Sequence, residues 1–450
     1  MRKAILTLFI ICALPLGAGA QRLCVEQVSG DKLLATGNYL DVFHLEAPVH
    51  TKAPRGFKPV YLSTYTRHGA RLFSRETMYG NAYLLLTRAA ADSMLTPTGE
   101  EFLRRYEEFY PLVKGRSYDL TTIGQEQHRR HAHRLVREYR RLFRGRVHID
   151  ARSTQTPRTI LSMTACTEEL KGINPKLTIT TSASPIDMGV LNPTSSYNPR
   201  ALERDRDASL ELPDAPYQEE YRRMWEEKGD PEEFFGRLFK DWRYVETVYP
   251  DGYTAQKMFY YVLADSQCAK GGEGPFMEFA TPEEMFAMWE CENYRMCNIA
   301  GLTECFGGRP WALSEVLLRD VLAYAESDMA GRSVAGPYPD PARVRMRFGH
   351  DFKISTLMTL MDVEGWNRTA RTSDEVKEIF NFSDLPMAAS IEWAFYRNRK
   401  GEVLVKVVLN DREIKLPIDS YCGPYYRLED FRAHCEARLA EADRILDSTL

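Results

Sequence analysis

The sequence has no excess of positive charge, no long apolar run after its first twenty residues, and no C-x-x-C or H-x-x-x-H pair. Each absence excludes something. Lys and Arg number 59 against 63 Asp and Glu, a net charge of −4 over 450 residues. That balance argues against bulk nucleic-acid binding, whose footprint is basic. Without a later apolar run, no helix beyond the N-terminus is long enough to cross a membrane. Without close metal-ligand spacing, the cysteines do not read as a zinc site.

The one apolar run is N-terminal. Arg2 and Lys3 precede Ala4 to Leu16, and Ala18-Gly19-Ala20 follows as a small-residue cleavage pattern. This reads as a secretory signal peptide over residues 1–20, with export after cleavage and no stable membrane insertion thereafter. The expected location is periplasmic in a Gram-negative host and secreted otherwise. Removing Arg2 and Lys3 takes the net charge to −6. Of nine cysteines, Cys12 leaves with the leader, and the remaining even number in an exported chain is expected to form disulfides. Hydrophobic residues at 44% and charged residues at 27% fit a globular enzyme.

The chemistry concentrates at the ends of strand-like runs. Val60 to Arg71 reads VYLSTYTRHGAR: strand formers without Pro or Gly, then Arg67, His68, Gly69, Ala70 and Arg71. Gly69 permits a sharp turn, so the cluster is expected at the carboxyl end of a strand, where open α/β sheets bind ligands. Two guanidiniums offer forks of donors matched to phosphate oxygens and favour a neutral imidazole between them. A neutral imidazole has a lone pair able to attack phosphorus. Leu120 to Phe143 predicts a basic helix in which His128, His131 and His133 do not share one face. Val147 to Ala151 predicts a second strand, ending in a loop with Arg152 and Arg158 before another helix. Val344 to Phe348 alternates as a third, ending in Gly349-His350-Asp351 and opening into a helix. Three runs near the C-terminus, IEWAFYRN, EVLVKVVLN and EIKLP, predict a β-meander, followed by a last helix.

These motifs together resemble the histidine acid phosphatases, the second branch of the histidine phosphatase superfamily, which includes phytases and multiple inositol polyphosphate phosphatases. RHGAR matches that family's RHGxR. Leu120, Thr121, Gly124 and Gln127 match its LTxxGxxQ, and Arg152-Ser153-Thr154 through Arg158-Thr159 matches its second arginine motif. His350-Asp351 matches its HD pair; Phe352 and Lys353 follow, so the chain departs from the His-Ala-Glu of many inositol polyphosphate phosphatases. The resemblance implies an α/β fold, a central mixed sheet with helices on both faces (the phosphoglycerate-mutase-like core), plus an inserted helical cap domain. The expected divisions are 21–164 and 311–450 for the catalytic core and 165–310 for the cap. It also implies a phosphohistidine mechanism without metal or cofactor. His68 is the nucleophile, Asp351 the proton donor, and Arg67, Arg71, Arg158 and His350 the phosphate ligands, with Arg152 supporting. The expected substrate is an anionic phosphomonoester, phytate or another inositol polyphosphate. The alternative is a broad acid phosphatase acting on small phosphomonoesters. The basic segment from 116 to 158 is expected to lend cations to a highly charged ligand.

Overall fold

A computed structural model describes residues 23–448, except 46, 47, 49, 74, 203, 204, 206–214 and 334–336. The expected leader, residues 1–20, lies outside the described residues. The strands are β1 (Lys58–Arg67), β2 (His148–Ser153), β3 (Thr178–Ser182), β4 (Val344–Gly349), β5 (Ser390–Arg397), β6 (Val403–Leu409), β7 (Arg412–Glu413) and β8 (Tyr426–Arg427). They form one sheet in the order β3-β2-β4-β1-β5-β6-β7, with β8 on β6. β1, β2, β3 and β4 run parallel; β5 is antiparallel to β1, and β6 to β5. The sheet is therefore mixed, as expected.

The helices include α1 (Glu76–Ala91), α2 (Pro97–Val113), α3 (Thr122–Glu138), α4 (Pro157–Ile173), α5 (Gly252–Lys270), α6 (Pro282–Ala300), α7 (Glu315–Met329), α8 (Asp351–Leu360) and α9 (Leu428–Ser448). Strand side chains alternate between faces, and both faces are covered. Leu62, Ile149, Ala151, Val344, Met346 and Phe348 pack with Ala132 and Leu135 of α3 and Met163, Cys166 and Leu170 of α4. Tyr61, Tyr65, Ile391, Trp393, Phe395 and Val405 belong to the cluster that includes Leu317 of α7, Ile354 of α8 and Leu439 of α9.

Two readings, the third strand of the meander and the disulfides, need revision. The alternation in β4 puts Arg345 and Arg347 on one face, and both are fully buried. Arg345 pairs with Asp328 and Asp150, and Arg347 with Asp320. Acidic residues on α7 and β2 supply the partners that a buried guanidinium requires. The last strand of the meander shrinks to two residues, Arg412–Glu413, because Ile414 and Leu416 turn into the core and Pro417 has no amide to donate. The eight cysteines at 24, 166, 268, 291, 297, 305, 422 and 435 are all free. Cys166, Cys268, Cys291, Cys297 and Cys435 are buried and act as small apolar side chains.

The helical region draws on more of the chain than residues 165–310. β3 lies within that range yet pairs with β2 in the central sheet. α2, from before it, packs its aromatic face on that region: Phe102 lies 5.7 Å from Phe259 of α5 and 4.8 Å from Phe276.

Candidate active site

β2, β4 and β1 are neighbours and parallel, so the three chemical loops leave the sheet at the same edge. Arg67 sits opposite Gly349, and Ser153 opposite Phe348. Register alone therefore brings His68, His350 and the Thr154–Arg158 loop together.

The turn after β1 is pressed against the start of α3. A Cβ on Gly69 would lie 2.3 Å from the Gly124 carbonyl oxygen, and one on Gly124 would lie 2.3 Å from that of Ala70. No side chain fits at either position. The Thr121 amide and hydroxyl both donate to the Ala70 carbonyl, at 2.9 and 3.1 Å. The Gln127 side-chain oxygen accepts from the Ala70 amide at 2.8 Å. Leu120, Thr121, Gly124 and Gln127 thus form the clamp that fixes the turn carrying His68.

His68 is buried, with Nδ1 2.9 Å from the Gly69 carbonyl. A carbonyl only accepts, so Nδ1 holds the proton and Nε2 keeps its lone pair. The His350 ring lies 5.7 Å away, nearly edge-on. The His350 amide donates to the Tyr65 hydroxyl at 3.0 Å, and Tyr65 donates to the Leu191 carbonyl at 2.9 Å. His350 Nε2 lies near the hydroxyls of Thr154 and Thr156, at 3.4 and 3.5 Å.

The arginines differ in how they are held. Arg67 is buried; it donates to the carbonyls of Asn38 and Leu385 and lies 3.0 Å from Asp351 Oδ2. Arg71 stacks 5.4 Å over Tyr39 and 5.8 Å over Phe73, with Asp265 of α5 at 3.6 Å. Arg158, in the first turn of α4, stacks 5.2 Å over Tyr118. Asp351 opens α8; Asn38 donates to its Oδ2 at 2.6 Å, and the Phe352 amide to its Oδ1 at 2.9 Å.

Burial and cations set the proton affinities. Burial first, then Arg158 and Arg67, hold His68 well below the usual imidazole range. Burial and then Arg158 do the same to His350. Burial, with Arg71 beside it, brings Arg158 down to about 10, so it stays cationic at neutral and acid pH. Burial pushes the Asp351 carboxyl up, but Arg67 and the Phe352 amide outweigh it and leave the group below the usual carboxylate range. Burial raises Asp265 to about 6 against the pull of Arg71. Burial brings Lys353 down to about 7, with Asp351 opposing; its amine donates to Thr194 at 2.8 Å.

All six residues singled out by the sequence, His68, Asp351, Arg67, Arg71, Arg158 and His350, meet at this edge. Arg152 does not join them: it is buried under Asp320, with donors at 3.1 and 2.6 Å, between the rings of Tyr324 and Tyr338. Of the basic segment 116–158, Tyr118, the start of α3 and the Thr154–Arg158 loop reach the site; its middle turns away, and Arg137 lies about 20 Å further along the helix axis. The three histidines of α3 part company: His128 and His131 are buried, and His133 meets Glu169 at 2.8 Å. Asn38, Tyr118 and Asp265 are the residues the sequence reading missed. Each stands in a segment without a motif and reaches the site only through tertiary packing.

An imidazole with a free lone pair, ringed by three guanidiniums and next to a carboxyl group, is equipped to receive a phosphoryl group. No family model matches the sequence, and no curated protein matches it. Solved structures do. The multiple inositol polyphosphate phosphatase of Bifidobacterium longum, in complex with phosphate, superposes with a TM-score of 0.72 at 14% identity, over 90% of this chain and 97% of that one. Its complex with inositol hexasulfate gives 0.70 at 13% identity, over 90% and 98%. The phytase from D. castellii gives 0.65 at 15% identity, over 96% and 89%. The chain therefore has the histidine acid phosphatase fold, shared with this inositol polyphosphate phosphatase and this phytase.

Proposed function

We propose that the protein is an exported phosphomonoesterase of the histidine acid phosphatase family, acting through a phosphohistidine on phytate or other inositol polyphosphates. The observation that carries this reading is the meeting of His68, Arg67, Arg71, Arg158, His350 and Asp351 at three adjacent parallel strand ends. His68 Nε2 attacks phosphorus in line, forming the N–P bond as the ester P–O bond breaks. The guanidiniums and His350 hold the equatorial oxygens, where charge spreads in the transition state. Asp351 gives its proton to the leaving alkoxide, then takes one from the water that hydrolyses the N–P bond, releasing phosphate and restoring His68.

The apo pairing of Asp351 with Arg67 keeps the carboxyl ionised. A phosphate dianion drawn to Arg67 competes for that guanidinium and adds negative charge nearby, which raises the carboxyl so that it is protonated in acid. Three guanidiniums around one imidazole suit a substrate dense in phosphate, and the likeness to the two neighbours favours an inositol ring as its frame.

The test is phosphate release at acid pH, with EDTA, from phytate and from p-nitrophenyl phosphate. Wild type should turn over phytate, and His68→Ala should not. Rapid quenching in alkali should trap an alkali-stable, acid-labile phosphoprotein in wild type alone. Release confined to p-nitrophenyl phosphate would select the broad acid phosphatase instead. Undiminished turnover by His68→Ala would overturn the mechanism.

A further inference from the structure

The middle of the basic segment, which does not serve the site, has its own address. Between Arg129 and Arg146 the chain holds eight arginines and one acidic residue, Glu138, in a protein of net charge −4. Three of the arginines are accounted for. Arg129 faces Glu126, Arg130 stacks on Phe43, and Arg134 is buried against Glu392 and Asp411. The other five, Arg137, Arg140, Arg141, Arg144 and Arg146, are exposed. Among the described residues, none of their side chains has an ion pair or hydrogen bond. Concentrated like charge without internal partners works against the fold through self-repulsion.

The place is defined by the sheet. β2 starts at His148, directly after this segment, and runs to Ser153 at the candidate active site. The five arginines therefore lie at the opposite edge, about 20 Å away at the rise of a strand. Other cations share that edge. Lys58, at the start of β1, pairs in register with Arg397 at the end of β5, and the β5–β6 turn exposes Arg399 and Lys400. From β2 across β4 and β1 to β5, neighbouring strands about 4.8 Å apart spread these charges over about 15 Å. Phe57, next to Lys58, holds the ring of Tyr421 at 5.9 Å, and Tyr421 remains 40% exposed with Arg427 stacked on it at 4.8 Å.

We propose that this edge is a docking surface for the anionic headgroups of a lipid bilayer. Cations from three separate chain segments make a broad face, which complements a layer rather than a single strand of polyanion. Guanidinium forks match lipid phosphates, and an exposed tyrosine beside them is the kind of side chain that settles at headgroup depth. Docked this way, the protein holds its candidate active site away from the bilayer, open to soluble substrate.

The test is co-sedimentation of the full chain with vesicles of phosphatidylcholine alone or with phosphatidylglycerol. Wild type should bind the anionic vesicles, release as salt rises, and ignore the neutral ones. Each cation near such a surface is worth about fivefold in partitioning, so Arg140→Gln with Arg141→Gln, Arg144→Gln and Arg146→Gln should lower binding several hundredfold. Thermal unfolding and p-nitrophenyl phosphate turnover serve as controls: the unfolding midpoint should not fall, since relief of self-repulsion can only raise it, and turnover should not change. Two results would overturn the proposal: vesicle binding retained by the quadruple variant, or no vesicle binding by wild type. Wild type that binds heparin but not the vesicles would assign the surface to soluble polyanions instead. Vesicle binding does not depend on turnover, so this test and that of the phosphatase reading fail separately.

Discussion

Asp351 is the residue at which electrostatics and the proposed chemistry pull in opposite directions. Arg67 at 3.0 Å and the amide of Phe352 keep it ionised, yet an alkoxide leaving group needs a proton. Asp351→Asn keeps the size of the side chain and an acceptor for Asn38 but removes the transferable proton. It is expected to slow hydrolysis of alkyl phosphates by about 10²–10⁴, the usual span for a general acid. p-Nitrophenyl phosphate should suffer much less, since its leaving group departs as a stable anion. Parallel assays on both esters decide the matter; equal losses would remove Asp351 from the proton-transfer role.

At the scale of elements, the clamp between the β1 turn and α3 is the feature that its short motif made legible. Gly124 has no room for a Cβ against the Ala70 backbone, and backbone cannot move aside as a flexible side chain can. Gly124→Ala should cost about 1–3 kcal/mol, as overpacking does, and should lower turnover by displacing His68. Gly172, inside α4 with nothing within 4 Å of where a Cβ would stand, is the control. Gly172→Ala should leave activity intact and stabilise by about 0.4–1 kcal/mol. Denaturant midpoints for the pair test both, and equal effects would refute the packing account. The same distinction explains what could be read in advance. β1, β2 and β4 each end in their motif, so strand, turn and chemistry were visible together. Asn38 and Asp265 contribute one side chain each from segments far away in sequence, and nothing local marks them. Period two in β4 reports only that Arg345 and Arg347 share a face, whereas α7 determines that this face is buried with Asp320 and Asp328. Arg152 was drawn toward the site by its motif and away from it by the same Asp320.

Across the whole molecule, buried neutral histidines set a limit on acid stability. His128 is fully buried on α3, 5.7 Å from the Phe348 ring, and burial brings it down to about 3 from an ordinary value of 6.5. His68, His131 and His350 are also held well below that value, burial being the first cause in each. The unfolded chain binds protons on these rings near pH 6.5, and the folded chain does not. Stability is therefore unaffected by them above about pH 6.5. It falls as pH drops from there toward 3, by up to about 1.4 kcal/mol per pH unit for each ring. His128→Gln removes one such ring without touching the six residues of the site. Its unfolding free energy, measured in urea from pH 8 to 4, should run parallel to that of wild type above pH 6.5. Below that point it should fall less steeply, by about one proton's slope. Parallel curves throughout would mean that His128 is protonated in the folded protein. A protein proposed to work in acid would then operate on the falling side of its own stability curve, because the same burial that keeps His68 nucleophilic makes its protonation destabilising.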